Sequence, residues 1–234
     1  GDARGTFNIS TAAAIIAAGA GARIAKHGNR AVTSAAGSGS AAVLAALGVR
    51  IDCPPPVSVR CLEECGLAFF FAPAYHGAMR YAGAARREIG VRTILNLIGP
   101  LANPAGTMRQ LIGVGAPELT ETFAGVLGAL GADHVMVVHG SDGLDEITLT
   151  GPSRITEYRD GAMRTMTLDP RQLGLEYCRL EELTAPGDAE ERAQVIREIL
   201  AGGGGPRRVV AELNAAAALI VGACAADFAE GLRL

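Results

Sequence analysis

The stretch TFNISTAAAIIAAGAGARIAKHGNR, residues 6–30, decides the fold. It opens with a short extended piece, after which Ser10 or Thr11 is placed to cap a helix rich in alanine and isoleucine. The mostly apolar run 22–25 then predicts a strand, and the polar run 26–30 follows directly at its end. Open α/β sheets bind ligands beyond the carboxyl ends of their strands, so this order predicts an α/β fold and the position of a site.

The same alternation of strands and helices continues outward from this stretch. Unbroken apolar runs predict buried strands, and the segments between them have helical character. The predicted strands are Leu67–Phe71, Gln110–Val114 and His134–Val138, and the predicted helices are Ala41–Leu47, Val57–Cys65, His76–Ile89 and Glu118–Leu130. This order predicts a mostly parallel sheet with helices on both faces, in one α/β domain that spans residues 1–234.

The last third of the chain has a different pattern. Its strands are shorter, alternate with polar residues and are predicted to be antiparallel, and two helices follow them. The predicted strands are Ile147–Thr150, Arg154–Tyr158 and Met163–Leu168, and the predicted helices are Ala189–Leu200 and Arg207 to about Ala229.

Composition and charge exclude several classes of protein. Of the 234 residues, 49% are hydrophobic and 19% are charged, which is typical of a globular protein. The net charge of −3 and the pI of about 5.8 lack the basic excess that a nucleic-acid-binding face needs. The longest apolar runs are too short to span a membrane. The five cysteines are odd in number and scattered, so we expect ordinary thiols in a cytoplasmic protein.

The segment Gly1–Thr11 is a candidate anion site. Small and hydroxyl residues lead straight into a helix start, where unpaired backbone amides and the helix dipole favour phosphate. Asn8, Ser10 and Thr11 can add side-chain hydrogen bonds to a phosphate or a metal. The alternative is a plain helix-capping segment.

The run Lys26–Arg30 is a second candidate. Lys26 is the only lysine among 21 basic residues, so a compact ammonium at a strand end is notable. An ammonium suits a phosphate oxygen that a planar guanidinium fits poorly. The alternative is a solvated turn.

Two adjacent carboxylates, Asp145 and Glu146, follow the loop 140–144 after a predicted strand. Such a pair can hold Mg²⁺ together with substrate phosphates, although a solvated acidic turn has the same sequence. Asp142 is a weaker candidate in the same loop.

Arginine and histidine side chains give weaker signals. Arg86 and Arg87 lie on a predicted helix, and Arg92 lies beyond it. Any one of the three is able to bind a substrate carboxylate bidentately, and surface charge is the alternative. The isolated residues His76, His134 and His139 are interpreted as structural.

Four stretches, in this order, resemble the anthranilate phosphoribosyltransferase family. They are GD…TFNIST (Gly1–Thr11), KHGNRAV (Lys26–Val32), RTILNLIGPLANPA (Arg92–Ala105) and HGSDGLDEITLTGPS (His139–Ser153). The likeness covers essentially the whole chain. It implies a catalytic domain of the nucleoside phosphorylase and phosphoribosyltransferase type. It also implies transfer of the phosphoribosyl group from phosphoribosyl pyrophosphate to the amino group of anthranilate, in tryptophan biosynthesis.

The resemblance also implies roles for individual residues. Around phosphoribosyl pyrophosphate it places Gly1, Asp2, Thr6, Asn8, Ile9, Ser10, Thr11, Lys26, His27, Gly28, Asn29, Arg30, Ala31, Val32, Thr33, Ser34 and Ser40. It places Arg86 and Asn29 near anthranilate, and it makes Ser10, Asp145 and Glu146 the ligands of two Mg²⁺ ions. Mg²⁺ and Lys26 would stabilise the departing pyrophosphate. A neutral amine requires no strong base, and His27 is the only candidate for one.

The chain departs from the family's pattern at several points. The family's phosphate loop reads GTGGDG, whereas this chain begins at its GD and has Ala3 in place of the last glycine. The loop 33–42 is longer than usual, and Ala42 stands where the family commonly has Asp. We expect the chain to be cut short at both ends, without the small helical domain that forms the homodimer contact in the family. We therefore expect exposed apolar surface and weak activity.

Three other functions fit parts of the sequence. A nucleic-acid-binding relative on the same fold would need a basic face, which the acidic balance disfavours. A pyrimidine nucleoside phosphorylase would bind inorganic phosphate and a nucleoside, but the FNIST and HGNR runs favour the anthranilate enzyme. A catalytically inactive homologue is the third alternative.

Overall fold

The computed structural model describes residues 5–29, 39–79, 81, 88, 94–185 and 187–234. Strands and helices alternate along these ranges. The strands are β1 (Ile24–Gly28), β2 (Leu67–Phe71), β3 (Arg109–Gly113), β4 (His134–Gly140), β5 (Ser153–Arg159) and β6 (Ala162–Leu168). The helices are α1 (Ile9–Gly19), α2 (Ser40–Ala46), α3 (Pro55–Cys65), α4 (Ala72–Tyr75), α5 (Ile94–Leu97), α6 (Leu119–Ala129), α7 (Leu180–Leu183), α8 (Ala189–Leu200), α9 (Pro206–Val221) and α10 (Phe228–Arg233).

The described strands form two sheets. β1 and β2 are a parallel pair in which Lys26 lies opposite Phe69. The second sheet has the order β3-β4-β5-β6, in which β3 and β4 are parallel and the other two pairings are antiparallel. The predicted α/β class is therefore confirmed, as is the antiparallel pairing of β5 and β6.

β4 shows why helices cover both faces of the larger sheet. All seven of its residues are buried. Met136 and Val138 pack into the main core, which also contains side chains of α1 and α9, whereas Val135 and Val137 pack against α6 on the opposite face. Burying each such side chain contributes about 1.5–3 kcal/mol, so both faces stabilise the strand.

The N-cap of the first helix lies two residues before Ser10, the nearer of the two predicted caps. Asn8 is its N-cap residue, and Ser10 lies in its first turn, so the prediction that Ser10 or Thr11 caps the helix is wrong. The reason is a tertiary contact, because the backbone N–H of Phe7 donates to the carbonyl of Leu183 at 3.1 Å. That contact fixes the segment directly before Ile9, where the helix begins.

β1 lies further along the chain than the predicted strand at residues 22–25. It runs from Ile24 to Gly28, so Lys26 and His27 lie within the strand and not in a loop after it. Pairing with the apolar strand β2 supplies the backbone hydrogen bonds that extend β1 through these polar residues.

The predicted strand Ile147–Thr150 does not form. Its backbone is bonded to side chains, because the N–H of Ile147 donates to Asn214 Oδ1 and that of Thr148 donates to Ser153 Oγ. A second prediction in this region, one long helix from Arg207 to about Ala229, is also wrong. The helix ends at Val221, and a new one starts after Asp227, whose carboxylate accepts the N–H of Glu230.

Two further predictions concern the whole molecule. All five cysteines are free thiols, as predicted. In the ranges that the structure describes, no helix is long and apolar enough to cross a membrane. The predicted helix His76–Ile89 lies mostly outside those ranges.

Candidate active site

Lys26 connects two of the predicted site segments. Its Nζ atom donates to Ser10 Oγ at 3.1 Å, which joins the middle of β1 to the first turn of α1. Burial lowers the pKa of Lys26, and the nearby carboxylates of Glu146 and Asp145 partly oppose that shift. These four residues come from three separate segments of the chain, and the fold brings them together.

The loop that carries Asp145 and Glu146 lies across the carboxyl end of β3. A β-carbon added at Gly113, the last residue of β3, would lie 1.5 Å from the carbonyl oxygen of Asp145. Only glycine permits this approach, because the clash would be with backbone and not with a flexible side chain. The two carboxylates are thus held at the edge where parallel strands of an open sheet present ligand-binding residues.

The side chains at this edge fit Mg²⁺. The predicted ligands offer two carboxylates and one hydroxyl, and Mg²⁺ prefers oxygen ligands of this kind. Within the described part of the chain, no group of three or more histidine, cysteine or acidic side chains could hold a metal ion. A Mg²⁺ site does not need such a group, because Mg²⁺ is commonly bound through only one or two carboxylates together with substrate phosphates.

Ser40 lies beside the end of β1. A β-carbon at Gly28 would be 2.6 Å from Ser40 Oγ and 3.0 Å from the ring of Phe69. Gly28 therefore allows the first residue of α2 to approach the strand that carries Lys26. The structure thus places Ser40 next to the segment that sequence reasoning linked with it.

His27 has a partner that the sequence did not indicate. Its Nε2 atom lies 3.2 Å from Nε2 of His76, and the two rings meet edge to face at 5.1 Å between centroids. Partial burial and the proximity of His76 lower the pKa of His27, while a hydrogen bond that the ring donates to the backbone of Gly99 opposes them. The two histidines are 49 residues apart, so no local pattern could connect them.

Replacing His76 with glutamine should raise the pKa of His27 toward its ordinary value of 6.5, because one of the two causes that lower it is removed. Because the pKa of His27 is lower in the folded state than in the unfolded state, its contribution to stability is fully present above the unfolded-state pKa. That contribution is lost as the pH falls through the folded-state pKa. The variant should therefore lose less stability on acidification. NMR titration of the His27 ring measures the pKa, with His134→Gln as the control, and an unchanged pKa in H76Q would contradict the prediction.

Several other predicted residues have structural roles in the described ranges. Asp142 accepts hydrogen bonds from the hydroxyls of Thr148 and Thr150 at 2.6 and 2.7 Å, which makes it a brace of its loop. His134 bonds to Glu157 and His139 bonds to the carbonyl of Val114, as expected of structural histidines.

The remaining N-terminal candidates surround the start of α1. Thr6 forms an antiparallel bridge with Thr184, and the side chain of Ile9 is buried in the main core. Thr11 is fully buried, and its hydroxyl has no hydrogen-bond partner among the described residues. Asn8 and Asn29 are both described, at the helix start and after β1. The predicted residues Gly1, Asp2, Arg30, Ala31, Val32, Thr33, Ser34 and Arg86 lie outside the described ranges.

Comparison with known proteins defines first the class and then the family. The sequence model of the family described as "Glycosyl transferase family, a/b domain" matches residues 1–234, so the chain is a glycosyl transferase domain. It is 54% identical over 234 residues to the anthranilate phosphoribosyltransferase of Moorella thermoacetica, covering 100% of this chain and 68% of that protein. This chain belongs to the anthranilate phosphoribosyltransferase family.

Solved structures agree with this assignment. The anthranilate phosphoribosyltransferase of Thermus thermophilus superposes with a TM-score of 0.91 at 41% identity, over 100% of this chain and 68% of that one. The Saccharomyces cerevisiae enzyme, in complex with PRPP (phosphoribosyl pyrophosphate) and Mg, has a TM-score of 0.87 at 28% identity, over 100% of this chain and 65% of that one.

Proposed function

We propose that this protein transfers the 5-phosphoribosyl group from phosphoribosyl pyrophosphate to the amino group of anthranilate, releasing pyrophosphate, in tryptophan biosynthesis. Family membership supports the reaction, and one observation supports the site. Ser10 and the carboxylates of Asp145 and Glu146 meet around the ammonium of Lys26. This set offers ligands for a divalent cation and a positive charge for phosphate oxygens, which a pyrophosphate leaving group requires.

Phosphoribosyl pyrophosphate is held by its phosphates in this proposal. Lys26 and Ser40 contact phosphate oxygens, together with backbone amides at the start of α1. Ser10, Asp145 and Glu146 would hold Mg²⁺, which would neutralise charge on the phosphates. The other contacts come from the N-terminal segment and from the residues that follow β1, which are Gly1, Asp2, Thr6, Asn8, Ile9, Thr11, His27, Gly28, Asn29, Arg30, Ala31, Val32, Thr33 and Ser34.

The transfer step needs positioning more than it needs a base. The bond between the anomeric carbon and pyrophosphate breaks with its electron pair on oxygen, and the amine lone pair of anthranilate forms the new bond. Lys26 stabilises the negative charge that develops on the leaving group. The amine then loses a proton, which the neutral imidazole of His27 is able to accept, and the lowered pKa of His27 favours that neutral form. Arg86 and Asn29 orient anthranilate, Arg86 through its carboxylate.

Three finer statements belong to the same proposal. The full-length enzyme acts as a cytoplasmic homodimer, as the family resemblance implies. It has no nucleic-acid partner, because the net charge is −3. Its domain organisation places residues 1–234 in one catalytic domain.

Calorimetric titration with phosphoribosyl pyrophosphate, with and without Mg²⁺, tests the proposal. Glu146→Gln should weaken Mg²⁺-dependent binding by at least about 10-fold, because a metal ligand is lost and even supporting residues of metal sites contribute that much. Glu64→Gln is the matched control, since Glu64 is exposed and pairs with Arg60 on α3.

Two results would contradict the proposal. If binding does not depend on Mg²⁺ and is unchanged in E146Q, Asp145 and Glu146 are not metal ligands but part of a solvated acidic turn. Turnover of a pyrimidine nucleoside with inorganic phosphate, in place of anthranilate with phosphoribosyl pyrophosphate, would identify a nucleoside phosphorylase instead.

A further inference from the structure

The peptide directly after the two carboxylates is clamped by one side chain. Asn214 of α9 accepts the N–H of Ile147 at its Oδ1 atom, at 3.0 Å, and donates from Nδ2 to the carbonyl of Ile147 at 2.8 Å. The side-chain amide thus makes the paired bonds that a neighbouring strand would make. Nδ2 also donates to the carbonyl of Val210 at 2.9 Å, which fixes the orientation of the amide.

Asn214 is itself held rigidly. It is 1% exposed, and it lies among the ten buried residues of the 16-residue helix α9. Leu213 and Ala217 of α9 pack in the main core together with Ile9 and Ala13 of α1, the helix that also carries Ser10. The clamp therefore connects the loop after β4 to the same packed unit that presents Ser10.

The loop is braced on the other side of the carboxylates as well. Asp142 accepts the N–H of Leu144 at 3.1 Å in addition to its two threonine hydroxyls. The carbonyl of Asp145 fills the space left open by Gly113. Residues 142 and 147 are thus both fixed, and Asp145 and Glu146 lie between them.

We infer that Asn214 is a positioning residue, which holds Asp145 and Glu146 in place before Mg²⁺ and phosphoribosyl pyrophosphate bind. The inference rests on the proposed function. Two carboxylates on a loose loop would have to be ordered by the metal, and that cost would reduce the apparent affinity. A rigid clamp removes the cost in advance.

The test is the Mg²⁺ concentration that gives half-maximal binding of phosphoribosyl pyrophosphate, measured by calorimetry. Asn214→Leu keeps the approximate volume of the side chain and removes all three hydrogen bonds. We expect the required Mg²⁺ concentration to rise by about 10- to 100-fold, the effect of losing a residue that orients metal ligands. Saturating Mg²⁺ should restore most of the binding.

Thr156→Val is the matched control. Thr156 is fully buried, and its hydroxyl bonds to Thr120 and Thr165 at 2.9 and 3.1 Å. T156V should therefore lower the melting temperature without changing the Mg²⁺ requirement. An equal Mg²⁺ requirement in N214L and T156V would overturn the inference if E146Q still weakens binding, whereas an E146Q variant without effect would overturn the proposed function instead.

Hydrogen exchange on the unmodified protein tests the inference independently of whether N214L folds. The amide of Ile147 should be protected without Mg²⁺ or phosphoribosyl pyrophosphate, because its partner Asn214 Oδ1 is already in place. Adding both should change its exchange little. Rapid exchange that slows only when metal and substrate bind would show that the loop is ordered by its ligands, and the inference would be wrong.

Discussion

Replacing Lys26 with methionine should lower turnover of anthranilate by about 10²- to 10³-fold, the usual effect of removing one group that stabilises charge in a transition state. The ammonium of Lys26 lies at the meeting point of Ser10, Asp145 and Glu146, so its loss removes positive charge where pyrophosphate departs. Lys26→Arg should give an intermediate rate, because it keeps the charge but presents a planar fork. Consumption of anthranilate under saturating substrates measures the effect.

The same substitution should leave the fold intact. Burial holds the pKa of Lys26 below 10.5, so its contribution to stability is complete above that pH and is lost as pH falls through the folded-state pKa. Because burial disfavours the charged form of this side chain, K26M should melt at the same temperature or higher. Arg60→Met, on an exposed side chain, is the control for turnover. A K26M variant with full turnover would exclude Lys26 from the reaction.

Replacing Gly113 with alanine should abolish Mg²⁺-dependent binding and destabilise the protein. The new β-carbon would lie 1.5 Å from the carbonyl oxygen of Asp145, and ordinary van der Waals contact requires a shift of about 2 Å. Overpacking of this kind costs about 1–3 kcal/mol or more of unfolding free energy. The shift would also displace the carboxylates from Lys26. Thermal unfolding and calorimetry with phosphoribosyl pyrophosphate measure the two effects.

Gly125→Ala is the control variant. It shows whether the effect of G113A comes from its position or from replacing any glycine with alanine. Gly125 lies inside α6, and a β-carbon there would have no atom within 4 Å. Alanine in an exposed helix interior should stabilise the protein by about 0.5–1 kcal/mol, with no change in binding. If G113A binds phosphoribosyl pyrophosphate as well as G125A does, the loop tolerates the shift and the close approach has no role in the site.

Local signals in the sequence were sufficient for some elements. The predicted bounds of Leu67–Phe71 and Ala189–Leu200 are those observed. The first is an unbroken apolar run that follows Gly66 and is ended by Pro73. The second begins at a capping box, in which Asp188 and Glu191 bond to each other's backbone amides. Both signals lie within the element or directly beside it.

Other elements depended on contacts that are distant in the sequence. β1 extends through Lys26 and His27 because β2 pairs with it, and the region 147–150 is irregular because Asn214 bonds to its backbone. The hydrophobic periodicity of the sequence does not indicate either of these contacts. The side chain that prevents a strand at Ile147 lies 67 residues away.

The sequence by itself determined the chemistry of the site: a single lysine, a serine at a helix start and an adjacent pair of carboxylates, in the order of a known family. Only the tertiary structure decided that these groups meet, because packing brings together β1 of one sheet, the first turn of α1 and the loop after β4 of the other sheet. It alone also revealed the partners of His76 and Asn214, which lie 49 and 67 residues away. Residue type sets what a group is able to do, and packing sets which groups act together.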